Sequence, residues 1–161
     1  MSLGMGYRFE FDPVNKILLL RIEGPLTDEV LTKAYAAIRK HSIATDARAG
    51  IWDLSGVTEF PISSLRIREL ANREPAMPDA NERPRIIVAS STLGYGLARM
   101  FQLAGAKERP LMQVVRTMEE ALAALGVKSA RFEALERVLP RRLKPSSGEK
   151  LDRSPGSAAP P

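Results

Sequence analysis

The sequence of 161 residues contains no cysteine, a single histidine and no long apolar run. Without cysteine, a disulfide framework and a catalytic thiolate are both excluded. With only one histidine, His41, and no cysteine, the chain is unsuited to a zinc site. A catalytic triad is equally unsupported, because no Gly-x-Ser-x-Gly segment is present to supply a nucleophilic serine. The apolar run over residues 17–20 is far too short for a secretion signal or a membrane span. We therefore expect a cytoplasmic protein.

The positive charge is concentrated in the last part of the chain. Residues 1–127 hold 16 Lys/Arg and 15 Asp/Glu, whereas residues 128–161 hold 8 Lys/Arg and 4 Asp/Glu. A nucleic-acid-binding domain usually concentrates basic residues on a folded face, so the nearly neutral first part argues against nucleic acid as a partner. Residues 140–161 consist mainly of Pro, Ser, Gly, Ala and charged residues. This composition predicts a disordered basic tail.

Residues 5–127 alternate between strand and helix patterns and predict one domain. Period-2 alternation predicts a first strand over residues 7–12 and a second over 17–23, paired as a hairpin. Later apolar runs predict strands at 49–54, 86–89 and 111–115. Helical spacing and capping residues predict four helices, which we place at residues 27–41, 61–74, 90–104 and 117–126. Residues 128–139 carry apolar side chains at helical spacing and are compatible with a further helix.

This order of elements predicts an α/β fold. Helices that alternate with short apolar strands imply parallel strands joined by right-handed crossovers. The opening hairpin adds antiparallel pairing at one edge. The expected fold is a mixed, mainly parallel β-sheet with an N-terminal β-hairpin and four or five helices.

Three segments resemble the SpoIIAA-like (STAS/SEC14-type) domain family, which is related to anti-sigma-factor antagonists. They are the stretches GPLTDEVLTKAYAAI after the hairpin, WDLSGVTEFPISSLRIREL, and RIIVASSTLGYGLARMF. The likeness covers roughly residues 5–126. It implies the STAS fold and a non-enzymatic regulatory or protein-interaction function, with another protein as the partner and a homodimer as a further option.

The resemblance also implies a candidate phosphorylation site at the start of the second helix. Phosphoswitch members of the wider family carry Asp-Ser-Ser/Thr-Gly-Leu there, and Ser63 matches the phosphorylated position. Ile62 replaces the acidic residue of that motif and Leu65 replaces its glycine. Because proline favours the first helical position, Pro61 predicts that Ser63 lies in the first turn, where backbone N–H groups favour anions.

The residues around this serine allow two interpretations. Ser63, Ser64 and Arg66 could form a phospho-acceptor or anion site, with Arg66 pairing with a phosphate on Ser63. Alternatively, one hydroxyl caps the helix and the other faces solvent.

A candidate apolar pocket is the basis of a second functional hypothesis. The SEC14-type resemblance suggests a cavity for an apolar or lipid-like small molecule, and adaptable Met and aromatic side chains suit such a site. The same residues can equally form the core, and we expect Trp52 to be buried beneath a helix. The proposed lining is Trp52, Phe60, Tyr95, Arg99 and Met100.

No group of residues predicts catalysis. Asp53 and Glu59 are separated by a predicted turn, and nothing in the sequence brings them together as an acid/base pair. We therefore expect no enzyme activity, no cofactor and no metal.

Overall fold

The computed structural model describes residues 6–73, 75–77 and 82–136, and the predicted tail over 140–161 lies outside the described residues. Within this part the chain forms six strands and four helices. In chain order they are β1 (Tyr7–Asp12), β2 (Ile17–Pro25), α1 (Asp28–Thr45), β3 (Ala49–Glu59), α2 (Ser64–Ala71), β4 (Arg85–Val88), α3 (Thr92–Ala104), β5 (Met112–Val115), α4 (Met118–Ala124) and β6 (Glu133–Ala134).

The strands form one mixed sheet in the order β5-β4-β3-β2-β1-β6. Strands β2 to β5 are parallel neighbours, and β1 is antiparallel to both β2 and β6. The predicted mainly parallel sheet with an N-terminal hairpin is confirmed. The hairpin lies near one edge of the sheet, and β6 covers that edge.

Successive side chains along each strand point to opposite faces of the sheet, and each face is covered by its own layer of helices. In β2, Leu18, Leu20 and Ile22 contribute to a core cluster with α1, while Ile17 and Leu19 belong to a cluster with α4. Helices α2 and α3 pack on the first face through a neighbouring cluster that includes Ile87 of β4. The sheet is therefore covered by α1, α2 and α3 on one face and by α4 on the other. None of the helices within the described ranges is long and apolar enough to cross a membrane.

The predicted helix caps account for several element boundaries. The Thr27 side chain accepts a hydrogen bond from Val30 N, and Ser91 accepts one from Gly94 N at the start of α3. Thr117 and Glu120 form the predicted capping box of α4. Helix α1 continues past His41 to Thr45 and ends at Asp46, which adopts a left-handed conformation with φ 55°.

The predicted junction between β3 and α2 needs two corrections. No turn interrupts β3 at Ser55-Gly56, because Gly56 pairs with Glu23 and the ladder to β2 continues to Glu59. The glycine allows a close approach, since a Cβ at Gly56 would lie 2.9 Å from Glu23 Cγ. Helix α2 begins at Ser64 rather than at Pro61. Ile62 N donates to Phe60 O at 2.8 Å, so Pro61 occupies the middle of a tight three-residue turn.

Residues 128–134 do not form the predicted C-terminal helix. Buried Asp12 instead accepts hydrogen bonds from Asn15 and from Arg131 N, and the Asn15 side chain donates to Ser129 O. Burial alone would raise the pKa of Asp12, but these bonds and those from neighbouring backbone N–H groups lower it below its usual value. The segment is thereby held extended against the hairpin and continues into β6. The part of the prediction beyond residue 136 lies outside the described residues.

Candidate functional site

The start of α2 is an exposed turn that ends in a serine cap. Ser63 has extended backbone angles (φ −89°, ψ 161°), and its side chain accepts a hydrogen bond from Arg66 N at 3.1 Å. Ser63 is therefore the N-cap and lies just before the first turn of α2, one position outside the place predicted for it. Ser64 is the first helical residue, and both serines are exposed. One hydroxyl caps the helix and the other lies at the surface.

Large apolar side chains are exposed at the starts of α2 and α3. Leu65 is 63% exposed and Leu93 is 60% exposed. Because β3 and β4 are parallel neighbours, the helices that follow them begin at the same edge of the sheet. The two starts are in contact: a Cβ at Gly94 would lie 2.8 Å from Phe60 Cζ. The absence of a side chain at Gly94 thus lets the β3–α2 turn pack against α3.

Arg66 contacts α1, away from the Ser63 hydroxyl. Its Nη2 donates to Thr32 Oγ1 at 2.9 Å, and its Nε lies 3.5 Å from Asp28 Oδ1. The same guanidinium lies 3.6 Å from a Glu69 carboxylate oxygen, and the Arg66 side chain is only 20% exposed. Ser63, Ser64 and Arg66 are thus neighbours at the start of α2, but the guanidinium of Arg66 points to the contact between α1 and α2 and away from the Ser63 hydroxyl.

Two of the five predicted pocket residues line an apolar cavity between the sheet and helices α1, α2 and α3. The cavity measures about 60 Å³, and both Trp52 and Phe60 contribute to its wall. Trp52 packs against both core clusters on the helix-covered face and contacts Phe101 with 5.9 Å between ring centroids, but its side chain is only partly buried, so the expectation of a buried core tryptophan holds in part. Ligand pockets for drug-sized molecules are typically about 300–1,000 Å³, so this cavity admits at most a very small apolar group.

The remaining three predicted pocket residues lie elsewhere. Tyr95 packs beneath Arg116, whose guanidinium carbon lies 4.1 Å from the ring centroid. Arg99 hydrogen-bonds to the Gln102 side chain. Met100 packs against the core cluster of α2 and α3 without lining the cavity. The SEC14-type resemblance grouped these residues with Trp52, but none of the three lines the cavity.

Two buried arginines are the polar feature that the sequence interpretation missed. Arg85 and Arg109 are each 2% exposed, on β4 and in the α3–β5 connection. Burial, together with the nearby charge of Arg109, lowers the pKa of Arg85 to about 10. In the sequence, Arg85 directly precedes the apolar run of β4 and Arg109 precedes Pro110, so each resembled an ordinary surface residue at an element boundary. Only the three-dimensional packing reveals their burial.

The described residues provide no cluster for metal binding, and the Asp53 carboxylate serves structural contacts. No group of three or more His, Cys, Asp or Glu that could hold a metal occurs within them. Asp53 is occupied structurally, because its carboxylate accepts from Arg21 Nη1 at 2.8 Å and from Ser55 N at 3.0 Å. The polar groups at the α2 start can cap a helix, accept a modification or contact a partner.

No protein-family model and no curated protein matches the chain, whereas solved structures resemble it. The anti-sigma factor antagonist SpoIIAA in its unphosphorylated form is 18% identical, with a TM-score of 0.47, covering 74% of this chain and 97% of that one. An anti-sigma factor antagonist from Mycobacterium paratuberculosis is 20% identical, with a TM-score of 0.50, covering 78% of this chain and 99% of that one. At 20% identity, the similarity to the Mycobacterium paratuberculosis antagonist is evidence for the fold alone. The chain has the SpoIIAA-like STAS fold that the sequence resemblance implied.

Proposed function

We propose that this domain is a non-enzymatic regulatory module that binds another protein through the starts of α2 and α3. The observation that carries the proposal is the exposure of Leu65 and Leu93 beside the capping serine Ser63. Exposed apolar side chains grouped near polar ones are typical of protein interaction sites. The structural neighbours are anti-sigma-factor antagonists, which supports the same class of function.

We further propose that phosphorylation of Ser63 controls this interaction. The hydroxyl is exposed and lies at the N-terminus of α2, where a phosphate gains from the helix dipole and from backbone N–H donors. The phosphate oxygens can keep the acceptor role that the hydroxyl has toward Arg66 N. Modification would therefore leave the helix intact while adding about two negative charges beside Leu65.

Capture of partners from the native cell, followed by binding measurements with the purified partner, tests the interaction. We expect Leu65→Arg and Leu93→Arg to abolish capture of the same protein. Val14→Arg is the matched control, because Val14 is also apolar and highly exposed but lies in the β1–β2 turn. A partner that tolerates both leucine substitutions but not Val14→Arg would disprove the proposed surface.

The phosphoswitch is tested separately with the same purified partner. We expect Ser63→Asp to fold normally and change the affinity, whereas Ser64→Ala leaves it within about twofold of the wild type. Mass spectrometry of protein from the native cell should then find phosphate on Ser63. If Ser63 is unmodified and Ser63→Asp binds as the wild type does, the switch is wrong while the interaction surface stands.

A second candidate function, binding of an apolar small molecule, is favoured by one observation. The cavity between the sheet and α1, α2 and α3 is lined almost wholly by apolar side chains, including the single tryptophan of the chain. A ligand larger than a few atoms requires the cavity to expand, so a short acyl chain is the suitable probe. Titration with octanoate should shift Trp52 emission in a saturable way, and an unchanged spectrum would remove this candidate.

A further inference from the structure

A groove runs along the outer edge of β5, at the end of the sheet opposite β6. Within the described ranges, no strand pairs with this side of β5. The groove measures about 540 Å³, far more than the apolar cavity of about 60 Å³ between the sheet and α1, α2 and α3. We call it the β5 groove. Its lining comes from β5, from α4 and its approach, and from the first turn of α3: Tyr95, Gln113, Val114, Val115, Arg116, Glu120, Ala123 and Ala124.

The hydrogen bonding of β5 leaves the backbone of one residue directed into this groove. Val115 O accepts from Ala89 N at 2.9 Å. Leu111 O likewise accepts from Arg85 N at 3.4 Å, so the odd-numbered residues of this stretch face β4. Because backbone groups alternate in direction along a strand, the N–H and C=O of Val114 point away from β4. No hydrogen bond to these two groups comes from the described part of the chain, so they can serve one added strand.

Side chains close the outward backbone groups on either side of this residue. Met112 O accepts from Gln102 Nε2 at 2.8 Å, and Arg116 N donates to Glu120 Oε1 at 2.8 Å. The Glu120 carboxylate is thus held by the backbone. These contacts limit pairing along β5 to a short stretch centred on Val114. A long flat edge that would accept a whole second sheet is thereby avoided, while a short extended segment keeps a place for two backbone bonds.

The walls of the groove indicate which side chains such a segment would carry. On the α4 side, Ala123 and Ala124 are small and exposed, which leaves space for a large apolar side chain beside Val115. The exposed Arg116 guanidinium carbon lies 4.1 Å from the centroid of the Tyr95 ring. None of the ion pairs formed among the described residues involves Arg116. An acidic side chain on the added segment therefore complements this wall of the groove.

We propose that the β5 groove binds an extended peptide segment of another protein, which adds one strand beside β5 and places an acidic side chain against Arg116. Main-chain hydrogen bonds give such added strands their affinity, and contacts with alternate side chains give specificity. The end of this chain has the opposite charge, since residues 137–161 contain six Lys/Arg and two Asp/Glu. The groove contains neither Leu65 nor Leu93, so its occupation is independent of the surface proposed at the starts of α2 and α3.

Selection from a library of random linear peptides tests the proposal. The full chain is the bait, and peptides that also bind the Ala123→Arg variant are removed, because an arginine side chain at this position fills the groove. We expect the enriched peptides to alternate apolar residues and to contain an acidic residue. A synthetic copy of an enriched peptide, added to the full ¹⁵N-labelled chain, should shift the backbone amides of Val114 and Arg116 in a saturable way.

Two variants separate the backbone contribution from the side-chain contribution. Val114→Pro removes the N–H that faces the groove and leaves the ladder to β4, so it should weaken binding of the enriched peptide by about tenfold. Arg116→Gln should weaken it by about fivefold, as expected for one exposed charge pair. This second variant leaves the backbone unchanged and decides the test if proline unfolds the chain. Arg48→Gln is its matched control, because Arg48 is exposed in the α1–β3 connection and outside the groove.

Ala36→Arg and Leu65→Arg are further controls that should bind the peptide as the wild type does, since both positions are exposed and outside the groove. The proposal is overturned if no peptide is enriched, if the enriched peptides lack an acidic residue, or if Arg116→Gln binds no more weakly than Arg48→Gln. Loss of binding in Leu65→Arg would assign the peptides to the α2 start and overturn it as well. So would a dimer, seen by sedimentation, that Val114→Pro converts to monomer, because a second copy would then occupy the edge.

Discussion

The two ends of α2 use the same eight-residue helix in opposite ways. At its start, one serine cap bonds to Arg66 N, and Ser63, Ser64 and Leu65 are exposed. At its end, the last carbonyl groups are held by Arg109, which is almost fully buried. A positive charge is favourable near a helix C-terminus, and here it comes from the α3–β5 connection rather than from α2 itself. The end of α2 is thus tied to the core, while its start remains accessible.

This difference implies a division of roles along α2. Changes at the buried end should alter the stability of the fold, because several hydrogen bonds depend on one side chain. Changes at the exposed start should alter binding and cost at most about 1 kcal/mol of stability, because few contacts are lost. Four comparisons test that division and the special role of Arg109, ordered by the expected effect of the first substitution named in each.

Arg109→Met should lower the free energy of unfolding by about 3 kcal/mol. The substitution keeps much of the apolar stem but leaves the carbonyl groups of Leu70 and Ala71 without their charged donor. Urea unfolding followed by circular dichroism measures the change. A variant as stable as the wild type would show that Arg109 does not anchor the end of α2.

Arg85→Met should have the opposite sign and stabilise the fold by about 1 kcal/mol. Arg85 is as buried as Arg109, but its Nε and Nη1 make no hydrogen bond. Replacing a poorly compensated buried charge with an apolar side chain of similar volume is often neutral or stabilising. The same urea series compares the two arginines directly, and a loss as large as that of Arg109→Met would contradict their different roles.

Ser63→Ala should destabilise the protein by about 1 kcal/mol, because it removes the hydrogen bond from Arg66 N at the N-cap. Ser63→Asp should stay close to the wild type, since Asp is an equally good N-cap. Ser64→Ala provides the control at the neighbouring position. Thermal unfolding of the three variants measures the order of their stabilities. Equal losses of stability for Ser63→Ala and Ser64→Ala would argue against Ser63 as the N-cap.

Leu65→Ser should change the free energy of unfolding by less than about 0.5 kcal/mol, because the side chain is mostly exposed. Ile67→Ser is the contrast on the same helix, since Ile67 is buried in the cluster of α2 and α3 and should cost several kcal/mol. Urea unfolding of both variants gives the comparison. A large loss for Leu65→Ser would mean that the start of α2 is part of the core.

Interactions between residues close in the sequence were sufficient to predict most helices and strands of the fold. The caps at Thr27, Ser91 and Thr117 act on backbone groups within three residues, so their effect can be read from the sequence. The period of the apolar residues likewise separated strands from helices and indicated a mainly parallel sheet. The sequence-based predictions were wrong at the β3–α2 junction and over residues 128–134. There, pairing with β2 and the hydrogen bond that Asp12 accepts from Arg131 N override the local turn and helix signals.

The sequence by itself determined the class of fold, the serine pair at the start of α2 and the absence of cysteine chemistry, because these depend on residue types and short spacings. The tertiary structure decided which of those residues are accessible and which charges are buried. It left Tyr95, Arg99 and Met100 outside the cavity that Trp52 lines, directed Arg66 to α1, and placed buried Arg109 between Tyr35 and the end of α2. These outcomes depend on contacts between residues up to 74 positions apart, which no local pattern encodes.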